Sequence, residues 1–379
     1  MAKVASKKKD KPSGIVALQQ ALISKLRSKK KCAGDIIDLS DDAPDIDFIP
    51  TGCWILDHTI SNRRDKGGFP EARMIDVAGE FSSGKSVLTG TFVAGAQSVG
   101  GLGYIVDSEL SFDKNFGIKV LGLIADQTIV HQENTTEIVF SDMEDAIDFY
   151  KDSGVTAAMV VDSLATLSSQ DIKKKGIDDG ITANSLSDAH KLGFLLKRMN
   201  EKLKQSKICV VFVNQARDNI ATGPAAWSAE KKRSSAGNAL KHLTSVAIWL
   251  KYIGRITDSK KNVVGVWVEF ILKKNNVGPQ FRKGWFPIYF NKGIDNCLAE
   301  LKYMEKRELF KKTGQKIKFK YKEQDYETST RQWPEFYKEN QEVIRNVILD
   351  DLVVDVEVLA NVVHDVGEAI AAESKDEKV

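Results

Sequence analysis

The chain has 379 residues, 42% of them hydrophobic and 28% charged, with a formal net charge of +3. That length suits one large domain with smaller appendages, and the balance is that of an ordinary soluble globular protein. No apolar run approaches the roughly 20 residues that span a bilayer, and the lysine-rich start lacks the apolar segment of a secretion signal, so a cytoplasmic protein with no membrane partner is expected. Cys32, Cys53, Cys209 and Cys297 are far apart with no paired spacing, which suggests neither a zinc site nor a disulfide framework.

The small net charge hides segregation. Lys3, Lys7, Lys8, Lys9, Lys11, Lys25, Arg27, Lys29, Lys30 and Lys31 crowd the amino end, while charges from Asp350 to Glu377 are mostly acidic. A basic arm of this kind suits a polyanion or a solvated tail. Residues 1–12 read as disordered. Ser13 is placed to cap a helix whose Ile15, Leu18, Leu22 and Leu26 form one apolar stripe. An acidic linker over Asp35 to Asp45 leads to Ile46-Asp47-Phe48-Ile49-Pro50, an extended piece that suits an edge.

From Thr51 to about Asp295, strand-like runs alternate with helix-like ones. Arg73 to Ala78, Gly103 to Asp107, Ala157 to Asp162 and Ile208 to Asn214 are apolar runs of the kind buried on both faces of a sheet, and polar residues at their carboxyl ends are where such a sheet places ligands. Asp142 to Lys151 and Asn184 to Gln205 read as helices. Val246 to Ile253, Val263 to Leu272 and Trp285 to Phe290 follow without helices between them, which predicts an antiparallel edge. Two charged stretches interrupt the order, Lys173 to Gly180 and Arg217 to Gly237, and the second is long for a compact domain.

Gly79-Glu80-Phe81-Ser82-Ser83-Gly84-Lys85-Ser86 fits the phosphate-loop pattern at every fixed position, between a strand and a helix. Its glycines allow a tight turn that aims N–H groups at a triphosphate beside the positive end of a helix. Lys85 then reaches the β and γ phosphates, and the Ser86 hydroxyl ligates Mg²⁺. Asp162 fits a second carboxylate that holds Mg²⁺ through water. Glu109 is near enough in such a layout to orient or deprotonate the attacking water. Either carboxylate could instead cap the following helix.

In order, Thr51-Gly52 with Leu56-Asp57, the Gly79 to Ser86 loop, Asp107-Ser108-Glu109, Val161 to Ala165, Val213-Asn214-Gln215, Gly237 to Lys241 and Gly293-Ile294 resemble the RecA family of homologous-recombination proteins, including its phage UvsX-like members. The resemblance implies an α/β RecA-like P-loop ATPase core with a mostly parallel central sheet, an N-terminal helical arm (1–50), a core with DNA-binding loops (51–295) and a small C-terminal α+β domain with an acidic tail (296–379). It implies ATP and Mg²⁺, Glu109 as catalytic base, Gln215 as γ-phosphate sensor, Phe116 on the adenine ring and Asp113 by its amino group.

By the same resemblance the charged stretches are DNA loops. Lys173, Lys174 and Lys175 belong to the first, and Arg217, Lys231, Lys232 and Arg233 around Trp227 to the second, joining backbone charge to a stacking ring. The family forms helical filaments with ATP between protomers, a contact that does not close. The amino-terminal helix and the Ile46 to Ile49 piece then dock on the next subunit. Lys274 matches one of two trans-acting lysines, and the second position holds Asn276. The expected function is filament formation on single-stranded DNA and strand exchange with duplex DNA, against three alternatives: a hexameric helicase of the same core, a structural coat without exchange, or a non-DNA ATPase switch, which the basic loops disfavour. Lys316 to Lys322 alternates strictly, giving a strand with one apolar and one lysine face, suited to duplex DNA or to solubility.

Overall fold

The computed structural model describes residues 18–19, 21–25, 46–174, 185–218, 232–234 and 237–353. Residues 1–46 and 47–379 are separate units by their internal contacts. Of the first, residues 18–19 and 21–25 are helical (α1), with Leu18 and Leu22 exposed. Ser13, Ile15, Leu26 and the lysines on either side of α1, Lys25 excepted, lie outside the described residues.

Among the described residues the second unit is built on a ten-stranded sheet. Its strands are β3 (Arg73–Gly79), β4 (Leu102–Asp107), β5 (Thr128–His131), β6 (Ala157–Asp162), β7 (Ile208–Asp218), β8 (Lys232–Ser234), β9 (Val246–Thr257), β10 (Val263–Asn275), β11 (Lys283–Tyr289) and β12 (Gly293–Ile294). They run in the order β12-β11-β10-β9-β3-β7-β6-β4-β5, with β8 on β7. From β9 through β5 neighbours are parallel, and from β9 through β12 they are antiparallel. The parallel strands read as continuous apolar runs because alternate residues serve two dry faces. In β7, Ile208, Val210 and Phe212 join one core cluster, while Cys209, Val211 and Val213 join the other.

Helices cover both faces. α3 (Lys85–Ser98) puts Leu88, Phe92, Val93 and Ala96 into the first cluster. On the opposite face, α5 (Thr136–Ser153) contributes Val139, Phe140, Met143 and Ile147, and α7 (Ser185–Leu203) contributes Leu196, Met199 and Leu203. The connection after β4 carries α4 (Lys114–Lys119), α6 (Gln170–Lys174) follows β6, and α8 (Gly237–Leu243) precedes β9. Among the described residues no helix is long and apolar enough to cross a membrane.

Two strand pairings go beyond what the sequence showed. β1 (Phe48–Ile49) pairs antiparallel with β2 (Phe69–Pro70) of its own chain, and Ile49 is fully buried. Phe48 and Ile49 of the Ile46 to Ile49 piece are thus held by their own chain, since that pairing satisfies their backbone groups and buries Ile49. Likewise β7 runs past Gln215 to Asp218, and Ala216, Arg217 and Asp218 pair with Ser234, Arg233 and Lys232. The base of the second charged stretch is thus a β-ladder.

After β12, α9 (Asn296–Lys306) starts at Asp295, whose carboxylate accepts from Leu298 N–H at 3.1 Å. A small sheet of β13 (Lys311–Thr313), β14 (Lys316–Tyr321) and β15 (Gln324–Ser329) follows, then α10 (Trp333–Leu352). In β14, Ile317 and Phe319 are buried while Lys316, Lys318 and Lys320 are exposed, as the alternation predicts. Trp333, Phe336 and Tyr337 pack with Phe319 in the cluster that also holds Ile55, Phe270 and Phe286, so no break in the core separates residues 296–353 from the large sheet. Polar ties reinforce the junction. Arg345 lies over the Trp54 ring of α2 (Trp54–Ser61) at 4.8 Å and donates to buried Glu300 at 3.1 Å.

Candidate active site

The phosphate loop joins β3 to α3. Gly84 caps that helix with φ of +83°, a left-handed backbone that favours glycine, and a Cβ there would also push the end of the Ile288 side chain aside. Ser83 is buried and its hydroxyl donates to the Glu80 carbonyl at 2.7 Å, which closes the turn. Lys85 Nζ donates to the carbonyls of Gly79 at 3.1 Å and Glu80 at 2.7 Å. Phe81, at the crown of the loop, is 78% exposed.

Strand register gathers the remaining groups. Parallel pairing sets Gly79 opposite Gln215, and Asp107 opposite Asp162, so the carboxyl ends of β3, β7, β6 and β4 form one rim. A cavity of about 220 Å³ opens there, lined by Ser86, Asp107, Glu109, Asp113, Phe116 and Asp162 among others. Burial pushes the Asp162 carboxyl up, opposed by the Ser86 hydroxyl, and Glu109 adds to the rise. Burial lowers Lys85, opposed by Asp162 and Glu109. Among the described residues no cluster of three or more His, Cys, Asp or Glu side chains could hold a metal by itself. One hydroxyl and one carboxylate do match Mg²⁺, which usually fills its shell with phosphates and water.

Glu109 is exposed, and its Oε1 accepts from the Ser163 hydroxyl at 3.1 Å and the Gln215 amide at 3.3 Å. Asp113 caps α4 by accepting from Phe116 N–H at 3.0 Å, and Phe116 is 38% exposed on the first turn. The two expected purine contacts therefore share one helix start beside the cavity.

Other candidates lie away from this rim. Lys173 Nζ donates to Thr135 Oγ1 at 2.6 Å and to Asn134, and Glu133 is 3.6 Å away, so it is engaged at the start of α5. Lys174 ends α6, and Arg217, Lys232 and Arg233 sit in the β7–β8 ladder. Lys175, Trp227 and Lys231 lie outside the described residues. Lys274 Nζ donates to the carbonyls of Lys241 and His242 at 3.0 and 3.1 Å, at the end of α8. In the ladder Lys274 faces Ala247, and Ala247 faces Asp76, three positions before Gly79, so Lys274 starts about 10 Å back along the sheet from its own phosphate loop. Asn276 is exposed, its N–H bonded to the Ser245 carbonyl.

Two neighbours of the site escaped the sequence reading. Asp107 Oδ2 accepts from Phe112 N–H at 2.8 Å and Gln132 Nε2 at 3.0 Å, fixing the turn that carries Glu109. Ser163 follows Asp162 in the quoted motif without an assigned contact. A small polar residue directly after a strand-end carboxylate was the available signal.

Comparison with known proteins gives one consistent answer. Residues 17–295 match the RecA N-terminal domain family. A protein RecA of Borrelia hermsii is 32% identical over 273 residues, 71% of each chain. That of Francisella philomiragia is 30% identical over 312 residues, 81% of each, and that of Geobacter metallireducens 31% over 274 residues, 72% of this chain and 75% of its own. With that domain spanning most of the sequence, and relatives this similar over more than two thirds of both partners, the chain belongs to the RecA family.

Proposed function

We propose that this protein is an ATP-dependent DNA recombinase of the cytoplasm that assembles as a helical filament on single-stranded DNA and promotes homologous pairing and strand exchange with duplex DNA. The observation that carries the reading is the register that brings the phosphate loop, Glu109, Asp162 and Gln215 to one rim. N–H groups of Gly79 to Ser86 and the start of α3 bind the triphosphate, with Lys85 on its β and γ phosphates. Ser86 and Asp162 would hold Mg²⁺, which would supply positive charge against the phosphates. Asp113 and Phe116 receive the adenine. Glu109 takes the proton of the attacking water, and Gln215 reports the γ phosphate to the β7–β8 ladder and on to Arg217, Trp227, Lys231, Lys232 and Arg233.

Lys274 acts on the site of the neighbouring subunit, a role supported by its distance from its own phosphate loop. Residues 1–46 serve as the oligomerisation arm, and residues 296–379 as an appended unit whose β14 lysines meet duplex DNA. Lys174 and Lys175 extend the DNA surface from the first charged stretch. The deciding experiment is strand exchange between a single strand and homologous duplex with ATP, with heterologous duplex as control. Exchange that needs homology supports the reading. Unwinding of a forked duplex without homology would instead make the protein a helicase, and cooperative coating with no exchange would make it a structural coat.

A further inference from the structure

Glu109 is an exposed, flexible side chain on a turn, and a general base acts well only when its carboxylate is held in one geometry. Ser163 is the rigid group beside it. It is 1% exposed, and its carbonyl accepts from the Ser108 hydroxyl at 2.7 Å and from the Thr166 hydroxyl at 2.9 Å. With its backbone fixed from two sides, its own hydroxyl donates to Oε1 of Glu109 at 3.1 Å, nearer than the 3.4 Å to Thr166 Oγ1. Gln215 Nε2 donates to the same oxygen at 3.3 Å, and among the described residues no hydrogen bond reaches Oε2. The two oxygens of one carboxylate are thus differentiated, one tethered to Ser163 just past the end of β6 and to Gln215 within β7, and one left to face the cavity chemistry.

We propose that Ser163 is a positioning residue for ATP hydrolysis, its hydroxyl holding Oε1 of Glu109 so that Oε2 takes the proton of the attacking water. The inference rests on Glu109 being the base. In that step the water oxygen bonds to the γ phosphorus and its proton passes to Oε2. The bond from that phosphorus to the bridging oxygen breaks, and the electron pair leaves on ADP. Ser163 keeps its own proton throughout. Gln215 alone cannot replace it, because an amide that turns to a γ phosphate releases Oε1, whereas a buried serine does not move with the nucleotide.

The test compares the full-length parent, Ser163→Ala, Glu109→Gln and the double variant, all on single-stranded DNA. Ser163→Ala should lower kcat about tenfold, the usual consequence of losing a bond to a charged catalytic group. KM for ATP, affinity for a non-hydrolysable ATP analogue and affinity for single-stranded DNA should stay within twofold of the parent. In the Glu109→Gln background the same serine change should have no further effect on turnover, since the group it positions is gone. Turnover within twofold of the parent would overturn the proposal, as would loss of nucleotide binding in step with kcat, or an equal loss in the Glu109→Gln background. If Glu109→Gln itself hydrolyses ATP normally, the base assignment fails, and that result is read independently of Ser163.

Discussion

The sheet has two halves that meet along β9, which is parallel to β3 and antiparallel to β10, and they treat their polar residues differently. In the parallel half every strand ends at the same rim, so Gly79, Asp107, Asp162 and Gln215 converge although they are spread over more than a hundred residues. In the antiparallel half successive strands end at opposite edges, and Lys274 on β10 lies level with Asp76, behind the phosphate loop. That half also carries the buried polar junction with α9 and α10, where Glu300 accepts from Tyr337 at 2.8 Å and Arg345 at 3.1 Å. Parallel strands gather the candidate catalytic groups at one rim, while antiparallel ones anchor the carboxyl region and hold Lys274, the cation proposed to act on a second chain, behind that rim.

The strongest way to break that comparison is at the rim. Glu109→Gln should lower DNA-stimulated turnover by about 10²- to 10⁴-fold while ATP binding persists, because the amide keeps shape but not basicity. Lys85→Ala should lose nucleotide affinity itself, measured by titration with a fluorescent ATP analogue.

Next in size is Lys274→Ala, expected to reduce stimulated turnover about a hundredfold by removing one charge from the transition state. Mixing those subunits with Glu109→Gln subunits in one filament should restore part of the activity, since some junctions regain both intact halves. No recovery in filaments shown to be mixed would place Lys274 in its own subunit's chemistry or in none, and the proposed division of labour would collapse.

A smaller effect concerns stability. Burial raises the Glu300 carboxyl from 4.5 to about 7. An acid raised in the folded state binds its proton more tightly there than when unfolded, so its contribution to stability declines as pH rises from about 4.5 to about 7. Glu300→Gln stays neutral, and its melting temperature should fall by about 2 °C less between pH 5 and pH 8 than the parent's, with kcat unchanged. An identical fall in both proteins would show that Glu300 does not titrate in this window.

The smallest effect is predicted for Lys173. Its ammonium already bonds to Thr135 and Asn134, so Lys173→Ala should alter the salt dependence of single-strand binding by less than the roughly 0.7 slope expected for one lost phosphate contact. A full change would mean that Lys173 leaves α5 to meet DNA.

Local pattern alone determined a good deal. The Gly79 to Ser86 loop is legible because its chemistry lies within eight neighbouring residues, and β6 because an apolar run ending in Asp162 needs no distant partner to be read. The strict alternation of Lys316 to Tyr321 likewise gave both faces of β14. Pairing is another matter, since it depends on which strands meet and in what register, a choice made by backbone groups common to every residue. Nothing in Phe48-Ile49 marks Phe69-Pro70 as its partner, and Arg217 to Asp218 reads as loop until β8 lies beside it. The same holds for the hydroxyl of Ser163 on Glu109, which joins positions 54 residues apart. Sequence named the groups that can do chemistry because residue type sets donor, acceptor and charge, whereas the parallel register of β3, β7, β6 and β4 decided which of them touch.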